Sequence, residues 1–337
     1  MTTLNCRDID RTAWKAFVKT HPLGTVFHTP EMFDVNSVSN KQIPIVIAAV
    51  DDDGRMVGLL SAVVMWNGNA LTKLITARSI IMGGILAENN DTDIVQALLQ
   101  EYRKQLPWWV IYSEIRPVYD IKELMSERIK ELKSWKRKGH YNLVMNLEKS
   151  EEELWEGMHK ERRRNVNQAI KAGLTFRELE TEAEIHEVMR LIEQTYQRKH
   201  VPISYLSIFD EVQRVMHDYA HFFGCFTAEG QMIAGQIRLC YGDLVYAWFA
   251  GSDEAYFKLR PNDFTMWNVI CWAHDRGYKQ FDFGGGGEPG VEYGVRDYKL
   301  KYGCEMYDFG RYTLAHRPIT LWLGTVAYKL YHKIKGV

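Results

Sequence analysis

Cysteine is scarce in this sequence, and its spacing makes no pairs: Cys6, Cys225, Cys240, Cys271 and Cys304 are scattered, with no C-x-x-C. That argues against a disulfide framework and a structural zinc site, and it fits a reducing compartment. No run approaches ~20 apolar residues, so no membrane-spanning helix is expected. The first residues, Met1 to Asp8, lack the basic and then apolar profile of a signal peptide, so a cytoplasmic placement is expected. Neither sign of charge is in excess: 42 Lys and Arg against 43 Asp and Glu leave −1, which gives no reason to expect a DNA binder. The 11 histidines show no H-E-x-x-H or paired ligand spacing, so no metal is expected. G-x-S-x-G is absent too, and with it the support for a serine nucleophile.

Apolar residues are plentiful at 46%, too many for a disordered chain. A length of 337 residues suggests two domains at about 150 residues each. The second half reads most clearly. Ser150 and Glu153 form a capping box opening a helix over 151–172, which Gly173 closes. A strand over 174–178 leads to a second capping box, Thr181 and Glu184, and a helix to about Lys199. Pro202 breaks it, and a further helix is expected over 205–219.

Three strands follow, 221–227, 232–241 and 244–251, with turns at Glu229-Gly230 and Gly242-Asp243. A helix over 262–276 takes Asn262 or Asp263 as N-cap and Gly277 as C-cap. A strand over 278–283 runs into four glycines, 284–287, and a last strand covers 305–313. Tight turns between consecutive strands exclude a doubly wound sheet and predict a mixed α/β layer. The first half repeats this order faintly: helix 10–19, strands 43–50, 56–66 and 71–77, helix 92–105 capped by Asp91, and strands 108–115 and 140–147.

This order, with a helix starting after the fourth strand and a glycine-rich end to the fifth, resembles the GNAT acyltransferase fold. The basic stretch Arg162-Arg163-Arg164-Asn165-Val166-Asn167-Gln168, running on to Gly173, resembles the linker helix of Fem-type transferases, which attach amino acids to peptidoglycan precursors. Leu259-Arg260-Pro261-Asn262-Asp263-Phe264, Gly277-Tyr278-Lys279-Gln280-Phe281-Asp282-Phe283-Gly284-Gly285 and Tyr298-Lys299-Leu300-Lys301-Tyr302-Gly303 resemble successive motifs of that family. The resemblance covers most of 150–313. It extends loosely to 1–148 through Thr25-Val26-Phe27-His28-Thr29-Pro30 and Ile115-Arg116-Pro117.

The resemblance implies a mixed α/β fold of two tandem GNAT-like domains, each a mostly antiparallel sheet flanked by helices. The expected domains are 1–148 and 149–315, the latter with linker helix 151–172, followed by an amphipathic C-terminal helix in 316–337. It also implies N-acyl transfer, in a cleft between the domains, to an amine of an anionic acceptor: a small molecule or a lipid-linked peptidoglycan or cell-envelope precursor. The donor would be acyl-CoA or aminoacyl-tRNA as co-substrate, with no tightly bound cofactor. The competing reading is a non-catalytic GNAT-fold module for ligand binding or membrane-surface work in envelope assembly.

Acyl transfer needs a held donor, a neutral amine and stabilisation of the tetrahedral oxyanion. The start of helix 262–276 offers free N–H groups and a positive dipole end, with Arg260, Asn262 and Asp263 as donor-binding candidates. The same residues could simply turn and cap a helix. The Arg/Gln-x-x-Gly-x-Gly/Ala loop that cradles the CoA pyrophosphate in this fold is missing, which weakens the CoA reading. Gly284 and Gly285 could approach a substrate closely or merely form a flexible loop. Asp282 alternates with Phe281 and Phe283 near a strand end, as a catalytic carboxylate or as a partner for Lys299.

Lys299 is the expected catalytic cation, against Lys301 as a surface control. Arg164 and then Arg163 are expected to hold an anionic acceptor, because consecutive arginines on a helix face several sides. Residues 128–138, with Arg128, Lys130, Lys133, Lys136, Arg137 and Lys138, read as a solvated basic face. His28, Arg78 and Arg116 either line the substrate cleft or serve as ordinary hydrogen-bonding residues. From Pro318 to about Ile334, Leu321, Trp322, Val326, Leu330 and Ile334 share a helix face beside Tyr328, Lys329, Tyr331, His332, Lys333 and Lys335. This suits either docking on a domain or peripheral contact with the inner face of a membrane.

Overall fold

The computed structural model describes residues 1–125, 129–199 and 208–335, with side chains of the last helix described through Val326. The chain divides into two units, residues 1–139 with 309–337, and residues 140–308. Along the chain the first unit carries β1 (Thr2–Asn5), α1 (Arg11–Thr20), α2 (Pro30–Ser37), β2 (Gln42–Val50), β3 (Met56–Met65) and α3 (Lys73–Thr76). It continues with β4 (Arg78–Gly83), β5 (Ile85–Ala87), α4 (Thr92–Gln105), β6 (Tyr112–Pro117) and β7 (Lys136–Lys138). The second unit holds β8 (Tyr141–Asn146), α5 (Glu151–Gly157), α6 (Lys160–Lys171), β9 (Thr175–Glu178), α7 (Glu182–Arg198) and α8 (Ile208–Val215). Then come β10 (Ala220–Phe226), β11 (Met232–Tyr241), β12 (Leu244–Ser252), α9 (Pro261–Asp275), β13 (Gln280–Gly285), α10 (Gly294–Leu300) and β14 (Glu305–Asp308). The chain returns to the first unit with β15 (Arg311–Ala315) and α11 (Pro318–Lys335).

The first sheet runs β1-β2-β3-β4-β6-β15-β7, with β5 on β3; the second runs β14-β8-β13-β12-β11-β10-β9. Each is antiparallel except for one parallel pair, β4 with β6 and β12 with β13. The mixed, mostly antiparallel α/β architecture expected from the element order is therefore present twice. In the first unit Leu98, Leu99 and Tyr102 of α4 pack on Ile47, Leu60 and Ile81. In the second, Phe264, Trp267 and Ile270 of α9 pack on Phe223, Val245 and Phe281. Both expected capping boxes form, Ser150 with Glu153 and Thr181 with Glu184, and the Asp91 side chain caps α4.

Several expectations need correction. The strand expected over 140–147 in the first domain is β8, which lies between β14 and β13 of the second sheet. The single strand expected over 305–313 is two strands in two sheets. They part at Gly310, whose φ of +72° is readily adopted by glycine alone. Boundaries at 148 and 315 thus move to 139/140 and 308/309. An alternating pattern states that a strand is half or fully buried, not which sheet it joins.

The helix expected over 151–172 breaks at Met158 and His159. Met158 is extended and buried, and the His159 N–H donates to Lys301 O while its ring caps α6. The strand expected over 71–77 is the short helix α3 followed by β4. Asn69 Oδ1 accepts the N–H groups of Leu71 and Thr72 and starts a turn. Helix α9 is capped not by Asn262 or Asp263 but by Arg260 in the left-handed region, with Pro261 as its first residue. The helix expected over 205–219 is α8, residues 205–207 lying outside the described ones, as does Arg128.

Candidate active site

Strand β13 supplies the centre. Phe281, Asp282 and Phe283 are all buried, because β8 and β12 flank the strand and both of its faces are covered. β12 pairs with β13 only from Leu244–Tyr246 against Gln280–Asp282. On the other side, the ladder with β8 shifts register between Asp282 and Gly285. β13 therefore ends its regular pairing at the Asp282 carboxylate.

Asp282 Oδ1 accepts the Gly284 N–H (2.6 Å), and Oδ2 accepts Asn142 Nδ2–H (3.1 Å). On the next residue Lys299 Nζ donates to Gly285 O (2.9 Å). One glycine turn thus fixes both charged groups. A side chain on Gly284 would be strained at φ +76°, and its Cβ would sit 3.9 Å from Lys299 Nζ and 3.6 Å from the Tyr246 hydroxyl.

Burial sets the protonation of the pair. It pushes the Asp282 carboxyl up to about 6, against the hydrogen bonds from Gly284 and Asn142 and the Lys299 charge. It pulls Lys299 down to about 8, with Asp282 opposing and Arg238 adding to the effect. Arg238 is itself fully buried and pulled down to about 9. Its Nη1 donates to Ile237 O (3.1 Å) and Phe249 O (3.3 Å), and Nη2 donates to Gln236 Oε1. Its guanidinium lies 5.6 Å over the Phe281 ring, and Nε has no partner. Lys301 differs from Lys299: it reaches outward to Glu161 (2.7 Å) and is 38% exposed.

A second buried network gathers around Asp263. Its Oδ1 accepts from Arg162 Nη1, Tyr302 Oη (2.6 Å) and Tyr298 Oη (3.2 Å), and Oδ2 accepts from Asn165 Nδ2 (2.7 Å). Arg162 also lies 4.7 Å over the Tyr298 ring. The carboxylate holds its ion pair up from both sides, so its role is to lock α6, α9 and α10 together. Asp263 was expected at the donor; it faces inward instead, with its lone pairs occupied. Of the three consecutive arginines the buried one is Arg162, while Arg163 is half-buried and Arg164 exposed.

Arg260 is exposed and Asn262 half-buried at the start of α9. The remaining candidates lie in the first unit. His28 is fully buried, with Nδ1 bonded to Thr25 (2.8 Å) and Nε2 to Gly84 O (3.2 Å), and burial pulls its pKa down to about 4. That is the bonding of a structural histidine. Arg78 reaches Thr76 O, and Arg116 pairs with Glu114 (2.6 Å). Gly284, Gly285, Asp282 and Lys299 are brought together; the others are not. Sequence reasoning missed Asn142, Tyr246 and Arg238, which come from three strands distant in sequence and carry no local signal.

Among the described residues no group of three or more His, Cys, Asp or Glu is placed to hold a metal. Cys304 donates to Lys299 O (3.2 Å), and burial pushes its thiol up to about 12, so it is a packed thiol and not a nucleophile.

The second sheet's one parallel pair, β12 and β13, is joined in sequence through α9. Residues 158–300 match the family model described as acetyltransferase (GNAT) domain. No curated protein sequence matches the chain. Among solved structures the chain is similar to FemX, at 16% identity and a TM-score of 0.72, covering 96% of this chain and 100% of that one. It is also similar to L-PGS from Bacillus licheniformis (13%, TM-score 0.59, 94% and 96% covered). A tandem GNAT protein from the clavulanic acid biosynthesis pathway is a third (11%, TM-score 0.56, 94% and 98% covered). Residues 158–300 thus carry the GNAT-domain match, and the fold of the chain as a whole is similar to that of FemX.

Proposed function

We propose that the second unit transfers an acyl or aminoacyl group to an amine, with Lys299 facing the reacting carbonyl. The observation that carries this reading is a half-buried ammonium and a buried carboxylate fixed on one two-glycine turn where β12 and β13 part. The amine nitrogen adds to the donor carbonyl carbon, and the new oxyanion develops beside Lys299 Nζ. Collapse breaks the bond to the ribose oxygen of an aminoacyl-tRNA or to the sulfur of a thioester. That leaving atom takes the proton the amine gives up. Asp282 is expected at the sequence level to be catalytic, but both its oxygens are held by protein donors and it is 1% exposed. It acts instead as a positioning residue that holds the turn and the counter-charge for Lys299.

The acceptor is an amine on an anionic small-molecule or lipid-linked envelope precursor. This reading is supported by the Fem-type resemblance and by likeness to a putative lysylphosphatidylglycerol synthetase domain (13% identity, TM-score 0.57). Of the two donors the ester of a charged tRNA is favoured, since the loop that cradles the CoA pyrophosphate is missing. Acetyl-CoA is accordingly expected to bind weakly, with Kd in the ~0.1–1 mM range. Calorimetry giving a micromolar or tighter Kd would move the donor to a thioester.

The reading as a whole is tested by mass spectrometry of molecules that co-purify with the protein, followed by transfer from labelled aminoacyl-tRNA or acetyl-CoA to the amine found. Turnover lost in Lys299→Met supports it; ligand bound without turnover from either donor would favour the non-catalytic module.

The neighbouring charges give a further check. With Lys299 active as the ammonium, kcat/KM should fall as pH rises through about 8. Arg238→Met removes a like charge and should move that limb to higher pH. Asp282→Asn removes the opposite charge and should move it to lower pH. Limbs that coincide in all three proteins would show that Lys299 does not govern the profile.

A further inference from the structure

The most exposed large apolar side chains of the described residues collect at one end of the first unit. Leu71 is 79% exposed, Trp108 77%, Ile319 75%, and Ile75 and Trp322 63% each. They come from α3 and the turn before it, from the loop after α4, and from α11. These three segments are bound together: Ile111 N–H donates to Ala77 O, and Ile111 O accepts the N–H groups of His316 (2.8 Å) and Arg317 (3.0 Å). Arg317 Nη1 also donates to Leu74 O (2.9 Å), fixing the start of α11 to α3. The apolar residues therefore stand on a rigid frame of backbone hydrogen bonds, and their exposure is not that of a frayed end.

The three segments themselves carry charge of one sign. Residues 66–78, 102–112 and 311–337 contain no Asp or Glu, and carry two, two and five Lys or Arg, of which Arg103, Lys104 and Arg311 pair with Glu131, Glu101 and Glu114 from outside them. The whole chain, by contrast, is close to balanced at −1. Exposed Leu, Ile and Trp on segments that carry cations and no acidic residue of their own match an anionic bilayer interface: the apolar tips enter the headgroup boundary and the cations, Lys73 and Arg317 among them, meet lipid phosphates. No helix among the described residues is long and apolar enough to cross a membrane, so contact is by lying on the surface.

We propose that this three-segment face, Leu71 and Ile75 with Trp108, Ile319 and Trp322, docks the protein on an anionic lipid surface. The sequence pattern had placed such contact on 318–334 alone, through Leu321, Trp322, Val326, Leu330 and Ile334. The structure exposes Ile319, Trp322 and Leu323 and leaves Leu321 and Val326 half-buried, while the side chains of Leu330 and Ile334 lie outside the described ones. Docking through α3 and Trp108 is independent of the reaction at Lys299 and would hold for any acceptor.

The test uses the full chain and vesicles of phosphatidylcholine, alone or with phosphatidylglycerol, in flotation at low and high salt. Wild type should float with the anionic vesicles, less so at high salt, and little with phosphatidylcholine alone. Leu71→Ser with Ile75→Ser, and separately Trp108→Ser, leave α11 intact. Each should lower partitioning by about tenfold or more, because each removes apolar area that lipid would cover. Val291→Ser, an exposed apolar residue in the second unit, should float like wild type. Near-ultraviolet circular dichroism checks that the variants stay folded. Wild type that stays in solution, or α3 and Trp108 variants that float like wild type, would overturn the proposal. So would a concentration-dependent dimer that these substitutions dissolve, since the face would then belong to a second copy.

Discussion

Lys299→Met is expected to give a folded protein whose transfer rate falls by roughly 10²–10³, the usual cost of losing one charge contact to an oxyanion. Lys301→Met, which gives up only its outward pair with Glu161, should stay active with stability changed by less than ~0.5 kcal/mol. Stability separates a functional Lys299 from a structural one. Its pKa is lowered from 10.5 to about 8, so between those values the unfolded chain holds a proton that the folded one has lost, and stability rises with pH across that window. Asp282 is raised from 3.8 to about 6, so stability falls as pH rises through that range. At pH 7 both charges therefore oppose folding. Removing Lys299 should leave the melting temperature unchanged or higher even as turnover is lost. Thermal melts and single-turnover rates at pH 7, with the substrates found by co-purification, check both halves. Equal turnover in the two lysine variants would remove Lys299 from the mechanism.

The second large effect is structural. Asp263→Ala is expected to destabilise the second unit by about 3–5 kcal/mol, because it leaves the Arg162 guanidinium buried without a counter-charge. The same change strips acceptors from Tyr298, Tyr302 and Asn165. Arg164→Ala, two residues along α6 from Arg162 but exposed, should cost less than ~0.5 kcal/mol. The double substitution Arg162→Met with Asp263→Leu should recover much of the loss, since neither charge is then stranded. Denaturant titration of the four proteins decides it. An Asp263→Ala midpoint close to wild type would mean that solvent reaches Arg162 and that the network is not a lock.

This second network shows how local and tertiary information divide. The run Arg162-Arg163-Arg164 announces that a helix carries charge to several sides, but helical phase alone leaves open which side is inward. Burial against Asp263, a residue from α9, selects Arg162. Asp263 sits at a helix start, where its composition suggested a cap or a donor contact. Pro261 and the left-handed Arg260 shift the cap upstream, and the third helical residue then points into the core.

What the sequence by itself determined is whatever its neighbours in the chain control. The capping boxes at Ser150 and Thr181, the Asp91 cap, the two tight turns between β10, β11 and β12, and the order of elements all rest on contacts within a few residues. They were enough to mark a mixed α/β fold built twice, while Asp282 with its glycines and Lys299 stood in two successive motifs. The tertiary structure decided the rest. It assigned β8 and β15 to the sheets opposite to those expected, because a strand's alternation is the same whichever edge it pairs with. It also set the protonation of Asp282 and Lys299 and gathered Leu71, Trp108 and Ile319 on one surface, because burial and exposure depend on which distant segments arrive, and no local pattern encodes that.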